Sequence, residues 1–224
     1  MIKNHASATL RNREPIRRVL AEELEPAGFL LEIAAGTGEH AVFLSREFPE
    51  WQWQPTDPDP AALSSIAAWR EDEGAPNLLP PMRLDAASKS WDVDTADAVL
   101  CVNMHSTSCE VEKSAGYPRY DACVCINMVH ISEWEATVGL FRGCAKHLAQ
   151  DAPIILYGPY LEDSIETAPS NLAFDRSLKE RNPAWGLRKV TDVDCVANDW
   201  GFRRSRRVQM PANNLTLVYR RKLA

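Results

Sequence analysis

A small set of residues in this chain can do chemistry by type and spacing. Glu32 nearly closes an apolar run, Leu30-Leu31-Glu32-Ile33, and Gly36-Thr37-Gly38 follows almost at once. Two glycines spaced G-x-G permit positive φ and let the backbone approach a ligand with no side chain between them. A strand that turns so tightly into a helix also puts backbone N–H groups and the positive end of a dipole at the top of a sheet. Asp57 ends the next apolar run, and an ionised carboxylate, being acceptor-only, suits both hydroxyls of a ribose; its alternative is capping the turn before Pro58. Asp85 follows a third run, where it could take an adenine amino group or simply be a loop residue. Asn127 and Met128 follow a fourth run and could bind a cofactor or orient an acceptor. His130 has the side chain a general base near neutrality needs, although a lone histidine near a helix start is more often structural. Tyr157 ends a fifth run, where it could donate a hydrogen bond or pack.

The elements that must position these residues follow from hydrophobic spacing. Arg13-Glu14-Pro15 opens a helix with Pro15 in its first turn, where a missing N–H costs nothing, and Ile16, Val19, Leu20 and Leu24 form its stripe. Asn12 and Arg13 then precede that helix, as a lid over the pocket or as a plain cap and surface charge. Phe29–Ile33 reads as a strand, followed by a helix with Ala41, Phe43, Leu44 and Phe48 inward. Trp51–Thr56 reads as a second strand. Asp59 as N-cap and Pro60 at the first position start another helix, with Leu63, Ile66 and Ala67 toward the core. Met82–Asp85 is a short third strand. This β-α-β-α-β alternation predicts a parallel sheet with right-handed crossovers.

The stretch Asp97–His105 nearly repeats as Asp121–His130, offset by 24 residues. The second copy is favoured as the fourth strand because it runs into Ser132-Glu133-Trp134-Glu135, a capping box, and an amphipathic helix. Residues 97–120 are then an insertion or a displaced duplicate strand, with Asn103 standing in for Asn127 should the first copy pair instead. Pro153–Tyr160 supplies a fifth strand, and residues 161–188 a helix-bearing excursion over the sheet edge, where Ser170 and Asn171 could face an acceptor. Thr191-Asp192-Val193-Asp194 caps a helix stopped by Gly201. Phe202–Met210 and Leu215–Arg220, joined by Pro211–Asn214, make an antiparallel hairpin.

Composition bounds the function. At 224 residues with 45% hydrophobic and 25% charged residues, one soluble domain is the expectation. The net charge of −6 disfavours broad nucleic-acid binding; the Arg203, Arg204, Arg206 and Arg207 cluster reads as a solvated edge that guards against aggregation rather than an RNA patch. The start lacks a signal-peptide core, and no apolar run is long enough to span a membrane, which points to the cytosol or another reducing compartment. The six cysteines form no C-x-x-C pair, so reduced structural thiols are expected and no metal site.

Two cofactors compete for the glycine turn. Gly36 to Ala41 fits the dinucleotide fingerprint G-x-G-x-x-A, with Asp57 as its ribose carboxylate. Glu32 favours the other. A carboxylate there repels a diphosphate and attracts an ammonium, which S-adenosylmethionine carries beside a sulfonium and a ribose. The piece resembles motif I of class I methyltransferases, with Ala34 in place of its first glycine. Further strings resemble one methyltransferase-like family long catalogued as a domain of unknown function: Arg11–Ile16, Leu31–His40, Trp53–Asp57, Ile126–Ser132, Tyr157–Tyr160, Ala168–Asn171, Pro183–Arg188 and Met210–Asn214. The resemblance implies a Rossmann-like class I methyltransferase fold: a seven-stranded, mostly parallel sheet with a C-terminal antiparallel hairpin and helices on both faces. It also implies S-adenosyl-L-methionine bound at Glu32, Ala34, Gly36, Gly38, Asp57, Asp85, Asn127 and Met128. Methyl transfer to an unidentified acceptor, with a small molecule slightly favoured, is the expected activity, and His130, Asn127 and Tyr157 are the candidate catalytic residues. A cofactor-binding module without turnover shares the same residues.

Overall fold

The computed structural model describes residues 2–73, 75–91, 93 and 120–222. The first copy of the repeat lies outside the described residues, as does most of the expected insertion. Nine strands are described: β1 Gly28–Ile33, β2 Trp51–Asp57, β3 Met82–Arg83, β4 Ala122–Ile126, β5 Ile154–Gly158, β6 Tyr160–Leu161, β7 Arg188–Lys189, β8 Phe202–Met210 and β9 Asn214–Arg221. The helices are α1 Thr9–Glu23, α2 Glu39–Glu47, α3 Pro60–Glu73, α4 Trp134–His147, α5 Pro169–Arg181 and α6 Val190–Asp199.

Seven strands form one mixed sheet in the order β3-β2-β1-β4-β5-β9-β8. All its pairings are parallel except β5–β9 and β8–β9. The second repeat copy is the strand inserted between β1 and β5, as its run into α4 predicts. Alternation along the strands sorts the core into two layers. Leu31, Ile33, Cys123 and Cys125 face α4 and α6, whereas Leu30, Val124, Ile126 and Tyr157 face α1 and α2. Helices therefore cover both faces, and every parallel strand points its carboxyl end at one edge, where open α/β sheets bind ligands. The excursion holds α5 and is closed by the two-residue β6–β7 ladder. Among the described residues no helix is long and apolar enough to cross a membrane.

Several local expectations are corrected. The first helix begins at Thr9, so Asn12 and Arg13 lie within it and Pro15 sits inside it. Thr9, Asn12, Ile16, Val19 and Leu20 form its buried face; that stripe starts earlier than the apolar residues alone reveal, because Thr9 and Asn12 are polar. In α3 the buried residues are Ser65, Ile66 and Ala68, with Leu63 and Ala67 only half-covered. β3 stops at Arg83, and Asp85 is already in the following turn. The capping box does not form: Glu133 is the N-cap of α4, and the Ser132 hydroxyl is buried without a partner. Nor does Thr191 cap α6, which begins at Val190; its hydroxyl bonds Asp163 instead. The arginines of β8 are mostly tied into the fold, Arg204 to Asp194, Arg206 to Glu22 and Glu23, and Arg207 to Glu162.

Candidate functional site

The turn from β1 into α2 is braced by the neighbouring strand. Ala35 N–H donates to the Thr56 carbonyl at 2.8 Å, Gly36 N–H to Asp57 Oδ2 at 2.9 Å and Gly38 N–H to the Ala35 carbonyl at 3.1 Å. These amides are therefore committed, against the expectation of free donors at this turn, and they do not make a preformed phosphate cradle. Ala34, Gly36 and Gly38 all have positive φ, at 57°, 58° and 91°. Ala34 thus occupies a left-handed position that glycine fills at no steric cost. The two glycines serve different ends. A Cβ on Gly36 would meet nothing within 4 Å, so its face is open. A Cβ on Gly38 would stand 2.9 Å from the Ile66 Cα, so this glycine lets α3 pack against the turn.

Three carboxylates surround the bend. Glu32 is 1% exposed, and its Oε2 accepts a hydrogen bond from Trp53 Nε1 at 2.6 Å. Burial lifts its carboxyl from the ordinary 4.5 to about 7; the Trp53 bond opposes the rise and Asp57 adds to it. Asp57 is also buried. Besides bracing Gly36, it accepts Asp59 N–H on Oδ1 at 3.0 Å, so turn-capping and bracing are both realised. Burial pushes its pKa up against those two backbone bonds. Glu39, the first residue of α2, accepts Ala6 N–H and the Thr37 hydroxyl, the latter at 3.2 Å. Ser65 donates to the Thr37 carbonyl at 2.7 Å and accepts Asn4 N–H at 2.9 Å, which straps the N-terminal segment to the same turn. Asp85 is exposed, caps its own turn through Ala87 N–H at 2.9 Å, and follows a residue bonded to the Asp57 carbonyl.

The other half of the edge is built from neutral groups. Asn127 has φ 63° directly after β4, and its N–H donates to the Tyr157 carbonyl at 2.8 Å. Met128 is packed in the core. His130 is 4% exposed, lies against Gly158, and meets the Phe174 ring edge-on with centroids 5.7 Å apart. Burial, with help from Arg181 and Arg188, lowers its pKa to about 4. It is a neutral imidazole and a weak base at neutral pH. The Tyr157 hydroxyl accepts from Asn214 Nδ2 at 3.0 Å; burial raises its pKa, and Asn12, Asn214 and Arg11 oppose the rise. Asn12 Oδ1 in turn meets His40 Nε2 at 2.8 Å.

The structure brings Glu32, Ala34, Gly36, Gly38 and Asp57 together around one turn, and Asn127, His130 and Tyr157 at the ends of β4 and β5. Arg13 is not among them; its guanidinium lies over Phe43 of α2, 4.6 Å from the ring centroid. Ser170 and Asn171 are engaged by the β8–β9 turn, through Asn213 Nδ2 to Ser170 Oγ at 3.3 Å and Asn171 Nδ2 to the Asn213 carbonyl at 3.0 Å. Asn171 also lines a cleft of about 410 Å³ with Tyr160, Glu162, Arg207, Asn213 and Leu215. Trp53, Glu39, Ser65, His40 and Asn214 were not foreseen as part of the site. An acid opening the helix after a glycine turn is a dipole-complementing signal that could have marked Glu39; the others act only through tertiary contacts.

Residues 3–221 match the family described as "Protein of unknown function (DUF938)". The chain belongs to that family. Solved structures place the DUF938 chain among methyltransferases in fold. It superposes on mitomycin 7-O-methyltransferase MmcR with a TM-score of 0.71 at 13% identity, over 96% of this chain and 55% of that one. CalO1, a methyltransferase in calicheamicin biosynthesis solved with S-adenosylhomocysteine bound, gives 0.65 at 14%, over 96% and 55%. A putative sarcosine dimethylglycine methyltransferase from Galdieria sulphuraria gives 0.66 at 15%, over 95% and 86%. The chain thus spans about half the length of the first two. At such identities the likeness is one of fold: a Rossmann-like methyltransferase sheet with an antiparallel C-terminal pair.

Proposed function

We propose that this DUF938 protein binds S-adenosylmethionine and transfers its methyl group to a small-molecule acceptor. The observation that carries the reading is the carboxylate-ringed glycine turn. Glu32, Asp57 and Glu39 surround a backbone bend whose amides are already bonded, an environment that repels a diphosphate and favours a cation. Glu32 takes the ammonium, becoming ionised as it does so. Gly36 offers a bare face to the ligand. Asp57 has lone pairs left for the ribose hydroxyls after its two backbone bonds, and Asp85 lies one turn beyond for the adenine. Asn127 faces the reacting end, with Met128 packed in the core behind it.

When bound, the cofactor would supply an electrophilic methyl on sulfonium: the acceptor's lone pair bonds the methyl carbon in line as the C–S bond breaks and the sulfur leaves as a neutral thioether. The chain's task is then to hold donor and acceptor in near-attack geometry and to exclude water. His130 can accept a hydrogen bond from the acceptor at neutral pH, but its low pKa makes it a poor destination for a full proton. The acceptor therefore carries an atom that is already nucleophilic, or loses its proton to solvent.

Thermal unfolding tests the cofactor. At about 100 times its dissociation constant, a ligand selective for the native state adds about 2.7 kcal/mol, which is about 5–10 °C for a chain of this size. S-adenosylhomocysteine should produce that shift and NAD none. The reverse result would replace this reading by a nicotinamide enzyme. Turnover across pools of small molecules then separates an enzyme from a binding module that lacks catalysis.

A further inference from the structure

A line of polar side chains crosses the face of the sheet covered by α1 and α2. His40 Nε2 meets Asn12 Oδ1 at 2.8 Å, Asn214 Nδ2 reaches the Tyr157 hydroxyl at 3.0 Å, and Asn12 bears on the acidity of that hydroxyl. The directions of these bonds follow from valence. An amide oxygen only accepts, so His40 carries its proton on Nε2. The Asn214 NH2 is fixed independently, because it also donates to the Pro211 carbonyl at 3.2 Å. The phenolic oxygen thus accepts from Asn214. Its own proton remains to be given away, and the partner it suits is an oxygen acceptor.

Charge and position narrow that partner. Arg11 is exposed, has no carboxylate partner among the described residues, and bears electrostatically on the same hydroxyl. Glu32 and Tyr157 lie on one face of the sheet, flanking β4: Glu32 registers with Val124 and Tyr157 with Ile126, two residues nearer the carboxyl edge. The two strands that bear them are separated by about 10 Å, two strand spacings, and both side chains project from the same side. A cation-attracting acid and an anion-attracting hydroxyl with a nearby guanidinium can hold the two ends of one zwitterion. In an α-amino acid both charged groups hang from a single carbon.

We infer that Tyr157, held by Asn214 and assisted by Arg11, donates a hydrogen bond to the carboxylate of the cofactor's amino-acid end, opposite Glu32. The inference rests on the cofactor reading above. It also gives Tyr157 a binding role in place of a catalytic one.

Isothermal titration with two ligands tests it. S-adenosylhomocysteine carries the amino-acid end; 5′-deoxy-5′-methylthioadenosine has the same nucleoside and no carboxylate. Tyr157→Phe should bind S-adenosylhomocysteine about tenfold more weakly, since it loses a charge-assisted hydrogen bond, while methylthioadenosine affinity stays within about twofold of the wild type by the same argument. Arg11→Gln, an exposed change that leaves the fold alone, should show the same selective loss at smaller size. Equal weakening toward both ligands would mean a general packing role and overturn the inference. Unchanged S-adenosylhomocysteine binding in both variants would overturn it too, with the cofactor reading intact. Failure of the wild type to bind either ligand would defeat that reading, and this inference with it.

Discussion

The two halves of the carboxyl edge differ in kind. At the ends of β1 and β2 the chain gathers acids around a tight bend, with Glu32 buried and its pKa raised to about 7. At the ends of β4 and β5 it gathers amides, a phenol and His130, whose pKa falls to about 4. Burial does both, because it penalises whichever form is charged. The first half is an acid kept neutral until a cation arrives. The second is a neutral wall that offers hydrogen bonds without charge. A ligand with a cationic centre toward the first half and hydrogen-bond acceptors toward the second matches the pair.

That contrast predicts opposing pH limbs. Glu32 holds its proton more tightly in the native than in the unfolded chain between pH 4.5 and 7, so stability falls as pH rises through this window. The full effect is about 3 kcal/mol, and Glu32→Gln should remove it, leaving the variant more stable than the wild type at pH 8. His130 behaves oppositely. Its unfolded form binds the proton first, so stability is lost as pH falls from 6.5 toward 4. His130→Asn should flatten that acid limb by an amount of the same order, about 3 kcal/mol. Denaturant titrations across pH 4–8 check both. A dome unchanged by either substitution would break the contrast.

The two glycines sharpen it further. Gly38→Ala combines a positive φ with backbone contact to Ile66, and should cost about 2–3 kcal/mol. Gly36→Ala meets only the φ penalty and should cost about 1 kcal/mol, yet it should abolish S-adenosylhomocysteine binding, since the new methyl fills the open face. Both follow from parallel melting and titration experiments. On the other half, Asn171→Ala severs the tie to Asn213 and should cost about 1 kcal/mol in denaturant unfolding, with cofactor affinity unaltered.

The acid half was legible in the sequence. An acid at a strand end, glycines at fixed spacing and an aspartate after the next strand are local signals, each readable within a few residues of chain. The amide half was legible only in part. Asn127, His130 and Tyr157 could be placed at strand ends, but what they touch comes from α1, α5 and β9, far away in sequence. Asn12 illustrates the difficulty: a polar residue on the buried face of a helix breaks the apolar stripe that periodicity relies on, and it therefore read as a segment before the helix. The ties of Ser170 and Asn171 are hidden for the same reason. Their partner is Asn213, in a turn where Ala212 and Asn213 adopt positive φ without glycine, which nothing in the local pattern announces.

The account depends most on Glu32 surrendering its proton to make way for an ammonium. Titration of S-adenosylhomocysteine at pH 6 in two buffers of different ionisation enthalpy measures that event. Wild-type protein should release about one proton per ligand bound, and Glu32→Gln none, with affinity sharply reduced. A binding enthalpy independent of buffer, or an affinity indifferent to the substitution, would contradict it.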